Sequence, residues 1–183
     1  LKPEESESFE LGLDQKLPLG FTTGLSAYSN KVKNLIDYND KNGYIIDNVS
    51  KAKFEGVESY INWEQDQLFA KLSHSYVKAT NEETGKELAR RPRQSLTLTA
   101  GLQNSVYGIS TSVSSKSAPK DNSKVGGYAT VDLNAYWNVN PSIKLFTNIN
   151  NIGDVNFETA SYGNGLFYIN GGRQASVGVT FKY

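Results

Sequence analysis

The side chains able to do chemistry are few and scattered. His74 is the only histidine, and a catalytic or metal-binding histidine needs partners converging on it. Neighbouring residue types supply none, so His74 reads as an interfacial residue on the apolar register of a strand. Cysteine is absent, which excludes a disulfide framework, thiolate catalysis and a cysteine zinc site. The segment "DYNDKNG" (residues 37–43) superficially suggests calcium, but its alternating oxygen ligands stop at Lys41. "APKDNSK" (residues 118–124) reads as a solvated loop. "RRPR", Arg90 to Arg93, could grip lipid phosphates, because guanidinium forks match phosphate oxygens, or simply anchor the start of a strand. Both readings stay open. The glycines of "YGNGLFYINGG" do not form a phosphate loop, since no strand-to-helix context surrounds them. Its aromatic residues Tyr162, Phe167 and Tyr168 could stack on a bulky apolar ligand or sit at a membrane interface. No nucleophile–base constellation appears, so neither an enzyme nor a bound metal or cofactor is expected.

These residues are carried by a chain that alternates. Phe9, Leu11 and Leu13 face away from Glu10, Gly12 and Asp14, and the period of two is that of a strand. The pattern returns at Phe21–Ala27, Val57–Trp63, Leu68–Tyr76, Leu96–Leu102, Tyr107–Val113, Ala129–Val139 and Ile143–Ile149. It closes the chain in "SVGVTFKY", with Val177, Val179, Phe181 and Tyr183 opposite Ser176, Gly178, Thr180 and Lys182. Nine strands are therefore predicted, several near the roughly 9–11 residues that cross a bilayer as a tilted strand. A mean hydropathy of -0.49 does not argue against this, because a barrel wall alternates lipid-facing and lumen-facing residues. Lys plus Arg and Asp plus Glu balance at 19 each, so no net field favours nucleic acid.

The links between strands alternate in length. Short ones lie at "LPLG", "EQDQ", "QNS" and "NPS"; long polar ones run over residues 31–50, 80–92, 115–127 and 154–172. Outer-membrane barrels have short periplasmic turns and long extracellular loops, whereas a soluble sandwich has no reason to segregate its loops. The expected fold is all-β, a transmembrane antiparallel β-barrel. The last strand then descends to the periplasm and the first, about residues 7–16, also descends. Barrels of this kind have even strand numbers, so an odd number of strands is expected upstream. On this reading residues 1–183 form one C-terminal portion of a barrel. Glu58, Asp132, Asn134, Asn148, Asn150 and Arg173 would line its lumen or rim.

The residues also resemble a known family. "LKPEESESFELGL" is similar to a stretch of the TonB-dependent outer-membrane receptors in Pro3, Glu4, Ser8, Glu10 and Gly12. "YSNKVKNLIDY" with "NVSKAKFEGVES" matches a second stretch in Asn34, Leu35, Ile36, Asn48, Ala52, Gly56, Val57 and Glu58. Arg91 and Pro92, the hairpin ending in Asn151–Asp154, and Tyr162, Gly172 and Arg173 continue the likeness in order. Gly153 and Gly171 depart from it. The resemblance implies a 22-stranded barrel around an N-terminal plug, of which this chain would supply about the last nine strands. It implies import of a scarce nutrient on energy relayed by TonB. The wording "NKVKNLIDYND" is most similar to the cobalamin transporters, with ferric-siderophore receptors as the alternative. A small self-contained outer-membrane barrel, pore or enzyme, is the runner-up outside the family. The implied partners are the plug and remaining strands, the TonB complex, outer-membrane lipid and lipopolysaccharide, and the barrel-assembly machinery. That machinery would read Ser176, Gly178, Phe181 and Tyr183 as its signal. Glu58 and Arg173 would contact the plug, since an enclosed charge is costly unless paired. Tyr162, Phe167 and Tyr168 would meet the substrate.

Overall fold

The computed structural model describes residues 1–39, 45–121, 124–163 and 165–182. Tyr183 and most of "DYNDKNG" lie outside the described residues. The strands are β1 (Glu5–Lys16), β2 (Phe21–Asn39), β3 (Ile45–Gln65), β4 (Leu68–Asn81), β5 (Gln94–Gln103), β6 (Tyr107–Lys116), β7 (Tyr128–Asn140), β8 (Ile143–Asn150), β9 (Glu158–Gly163), β10 (Leu166–Ile169) and β11 (Gln174–Phe181). Nine of them form one antiparallel sheet in the order β1-β2-β3-β4-β5-β6-β7-β8-β11, while β9 and β10 pair separately. Each of the nine expected strands is present, and each pairs with its neighbour in sequence until β11 joins β8. The fold is all-β, a partial barrel.

The short turns follow their residues. In "LPLG", Leu19 and Gly20 have φ of 61° and 80°. A side chain on Gly20 would strike the Glu64 carbonyl, whose own N–H donates to the Gly20 oxygen at 3.0 Å. In "NPS", Asn140 Oδ1 accepts from the Ser142 N–H at 2.9 Å, closing a loop of Pro141 and Ser142 between paired Asn140 and Ile143.

Two expectations about the long links change. Residues 31–39 and 45–50 are strand and not loop: β2 and β3 continue through them and pair out to Asn39 and Ile45. The register shifts between Val32 and Ile36, and Asn34 at the shift has φ 57°. Such a bulge changes which face each side chain takes, so the alternation visible up to Ala27 is lost although the strand is not. The link at 154–172 likewise contains the irregular hairpin β9–β10.

No dry interior exists among the described residues. Only Ala52, Ala79 and Val125 are buried apolar residues there, and a sandwich of this length would bury far more. Pairing instead places Leu11, Ala27, Val57 and Tyr76 in one row, and Ile61, Leu72, Leu98, Val113 and Val131 in another, on the same face. The opposite face carries Asp14, Gly24, Tyr60, Ser73, Thr97 and Ser114. One face is lipid-like in composition and the other is wet.

Candidate functional site

The apolar face has sharp limits. Above the Val57–Tyr76 row, the next outward row is Ser29, Glu55 and Lys78, followed by Lys31 and Lys53. Lys53 and Glu55 pair at 2.7 Å. Below, Phe21 packs on Trp63 with ring centroids 6.3 Å apart, and Tyr107 pairs with Trp137. Val57 to Trp63 covers about 20 Å along β3 at the strand rise, which suits an apolar band about 25 Å tall edged by aromatic residues. The upper part of the β2–β3 hairpin therefore stands clear of the bilayer.

The inner face is built so that side chains lie along the wall. Tyr28 opposes Gly56, Tyr60 opposes Gly24, Tyr136 opposes Gly108 and Phe146 opposes Gly178. In each pair a Cβ on the glycine would collide with the ring. The rings lie flat over glycine, an arrangement that pins register and allows the sheet to curve. Tyr60 donates to Asp14 Oδ1 at 2.6 Å, and Tyr136 donates to the Asn104 carbonyl at 2.8 Å. Glu58 is exposed on this face, between Ser26 and Ser75 in register. Arg173 precedes β11 at the upper rim, its N–H donating to Asp154 Oδ1 at 2.8 Å. Strands β4 to β8 separate the two, so they do not form one cluster.

Several expected residues take defined places. Asn134, Asn148 and Ser176 share an inner row with Ser110. Asp132 holds a turn: its Oδ1 accepts from the Asn151 N–H at 2.7 Å. Asn151 has φ 53° and is buried, with its amide both accepting from and donating to Val155. The "NIGD" motif is thus a closed turn at the top of β8. Asn34 and Asn48 do the same for the second motif. Asn48 Nδ2 donates to the Lys2 and Asn34 carbonyls at 2.9 and 2.7 Å, while Glu4 Oε1 accepts from the Ile36 N–H at 2.7 Å. The first two sequence motifs are one knot in space.

His74 is half-buried on the outer face between Ser59 and Leu96. Gly178 lies under the Phe146 ring, and Phe181 is exposed at the edge of the sheet. In the connection between β8 and β11, Phe167 is half-buried and Tyr168 exposed; the side chain of Tyr162 is outside the described residues. An aromatic platform that spacing alone does not reveal sits beside them: Tyr128 stacks on Phe157 at 3.7 Å and 12°.

The arginine cluster does not converge on one anion. Arg93 forms a two-pronged pair with Glu87, one prong being Nε to Oε2 at 2.9 Å. This pair holds the Glu87 carboxyl below the usual carboxylate range, chiefly by the hydrogen bond itself. Arg91 lies over the Phe54 ring at 5.3 Å. Phe54 pairs with buried Ala79 on the inner face, so this connection folds inward over the mouth. The lower rim is tied by amides instead. Asn104 accepts from the Val106 and Tyr107 N–H groups at 2.8 Å and donates to Gln67 Oε1 at 2.8 Å.

Comparison with known proteins agrees with this architecture. The family described as TonB dependent receptor-like, beta-barrel matches residues 1–152. The vitamin B12 transporter BtuB of Vibrio vulnificus (strain YJ016) is 24% identical over 188 residues, covering 100% of this chain and 30% of its own length. Among solved structures, the copper transporter OprC superposes with a TM-score of 0.81 at 18% identity, covering 100% of this chain and 32% of that one. The ferric enterobactin receptor PfeA of Pseudomonas aeruginosa, as a mutant, gives 0.79 at 22% identity, with 100% and 32% covered. The chain thus spans about a third of the length of the relatives it matches.

Proposed function

We propose, from the premise that this chain belongs to the TonB-dependent receptor β-barrel family of the bacterial outer membrane, that it supplies barrel wall and extracellular loops to a receptor importing a scarce nutrient, cobalamin first. The observation that carries the reading is the two-faced sheet. An apolar outer band edged by aromatic residues suits lipid, and a polar inner wall of flattened rings leaves a lumen open to a second domain. No covalent chemistry is asked of these residues. The extracellular connections capture substrate, with Tyr162, Phe167 and Tyr168 offering aromatic surface for a large ligand. Glu58 on the wall and Arg173 at the rim contact the plug. Further strands complete a 22-stranded barrel, and TonB supplies the energy through parts outside this wall. The edge strand β11, carrying Ser176, Gly178 and Phe181, docks on the assembly machinery by strand addition, with Tyr183 beyond it as the last residue of the signal.

Cobalamin is favoured by the sequence likeness to a vitamin B12 transporter over the whole chain. A ferric-siderophore cargo is the second reading, supported by the likeness of the wall to ferric enterobactin and other siderophore receptors. Uptake separates them. In cells lacking their own cobalamin and catecholate receptors, the receptor should restore accumulation of labelled cyanocobalamin, and deletion of TonB should abolish it. Restoration of ferric enterobactin uptake alone would replace the substrate, and restoration of neither would overturn both cargo readings.

A further inference from the structure

Three extracellular connections leave the sheet from different hairpins: residues 82–93 after β4, 117–127 after β6 and 151–173 after β8. They meet at Arg90. Its φ is 61°, a region that bulky residues seldom occupy and that marks a position held by its surroundings. Its backbone N–H donates to Asp121 Oδ2 at 2.6 Å. Its guanidinium Nη2 donates to the Ser161 carbonyl at 3.0 Å. One residue of the first connection thereby holds the second through its backbone and the third through its side chain. Several other contacts join these connections, or the strand ends beside them, in pairs. Pro92 bridges Pro119, Ser117 Oγ accepts from the Gln94 N–H at 3.1 Å, and Tyr128 stacks on Phe157. Arg93 and Arg91 are engaged elsewhere, with Glu87 and Phe54.

We propose that Arg90 is a positioning residue that joins the three connections into one body and so fixes where the aromatic hairpin β9–β10 stands over the barrel mouth. Its effect on uptake rests on the function proposed above; the mechanical coupling does not. A carbonyl is a neutral acceptor, and a guanidinium serves it through a planar fork that a lysine ammonium reproduces only in part. Loss of the side chain should release the hairpin alone, because the backbone link to Asp121 needs no side chain at position 90.

These 183 residues contain no cysteine, so pairs of spin labels can be placed in them once any cysteine elsewhere in the receptor is replaced by serine. In the detergent-solubilised receptor, without substrate, one pair is K120C with I169C and the other K86C with K120C. R90A should raise the fraction of the first pair outside its main distance peak about tenfold, the effect of losing one charge-assisted hydrogen bond. The second pair should stay narrow. R90K should lie between R90A and the parent, and D121A should broaden the second pair. In the parent receptor R90A should raise the KM for labelled cyanocobalamin with Vmax unchanged. An unchanged first pair in R90A, or equal broadening of both pairs, would overturn the coupling. Absence of cyanocobalamin uptake by the parent would sink the substrate reading and leave the coupling to be decided by the distances.

Discussion

The outer and inner faces of this sheet are made from the same strands, yet they are stabilised by different means. On the outer face Leu11, Val57, Ile61, Leu98 and Val131 do not interlock into a core; lipid must supply the contacts that a second sheet supplies in a sandwich. On the inner face, rings seated on glycines and polar ties such as Tyr60 to Asp14 make a wall that is satisfied without being thick. The difference teaches that burial is a poor guide to importance here. Phe9, Leu11 and Leu13 on β1 are at least 70% exposed, and in a soluble protein that would be a defect. In this one it marks the surface that meets hydrocarbon.

The comparison breaks most visibly if a charge is moved from one face to the other. Ile61→Arg, near the middle of the apolar band, should destabilise the folded barrel by about 2–4 kcal/mol. Asn62→Arg, one residue on and facing the lumen, should leave the folded, heat-modifiable band on a gel almost intact. Equal losses would deny that the faces differ. Gly56→Val sharpens the inner half of the comparison. It forces the Tyr28 ring off the wall, and overpacking of this kind costs about 1–3 kcal/mol. Gly126→Val, where an added side chain meets open space, should cost far less in the same urea titration. The smallest effect belongs to the rims. Glu87 is held below its usual range by Arg93, so the pair contributes fully above the unfolded carboxyl value of about 4.3 and is lost as pH falls through the depressed one. A spin label on K86C should keep constant mobility from pH 7 to about pH 5 and loosen only below about pH 4. Glu87→Gln should be mobile throughout, while a label beside Asn104 on the amide-tied lower rim should ignore pH over the same range.

The strands were legible because each of the nine repeats the period-two pattern that a two-faced wall demands. The limits were less so. Asn34 takes a left-handed conformation inside β2 and the register slips around it, so residues 31–50 look like a loop until the partner strand is known. The site was legible only in outline. Nothing local joins Tyr28 to Gly56 or Tyr128 to Phe157; register and a folded connection bring them together. The resemblance singled out Asn34, Asn48 and Asn151, and structure gives their reason: each satisfies backbone groups at a bulge or turn. Asn104 was marked only as part of the short link "QNS"; its tie to Gln67 had no signal, since Gln67 belongs to a different turn.

The most direct test of the central claim reads the two faces residue by residue. Single cysteines at positions 57 to 62 of β3, in intact outer membranes, are offered a water-soluble maleimide and then a lipid-phase quencher of an attached fluorophore. The account predicts a period of two. Labels at Val57, Ser59 and Ile61 should be quenched from lipid and slow to react from water, and those at Glu58, Tyr60 and Asn62 should show the reverse. Uniform reactivity along the segment, or quenching at both sets of positions, would contradict the placement of this sheet as a barrel wall between lipid and lumen.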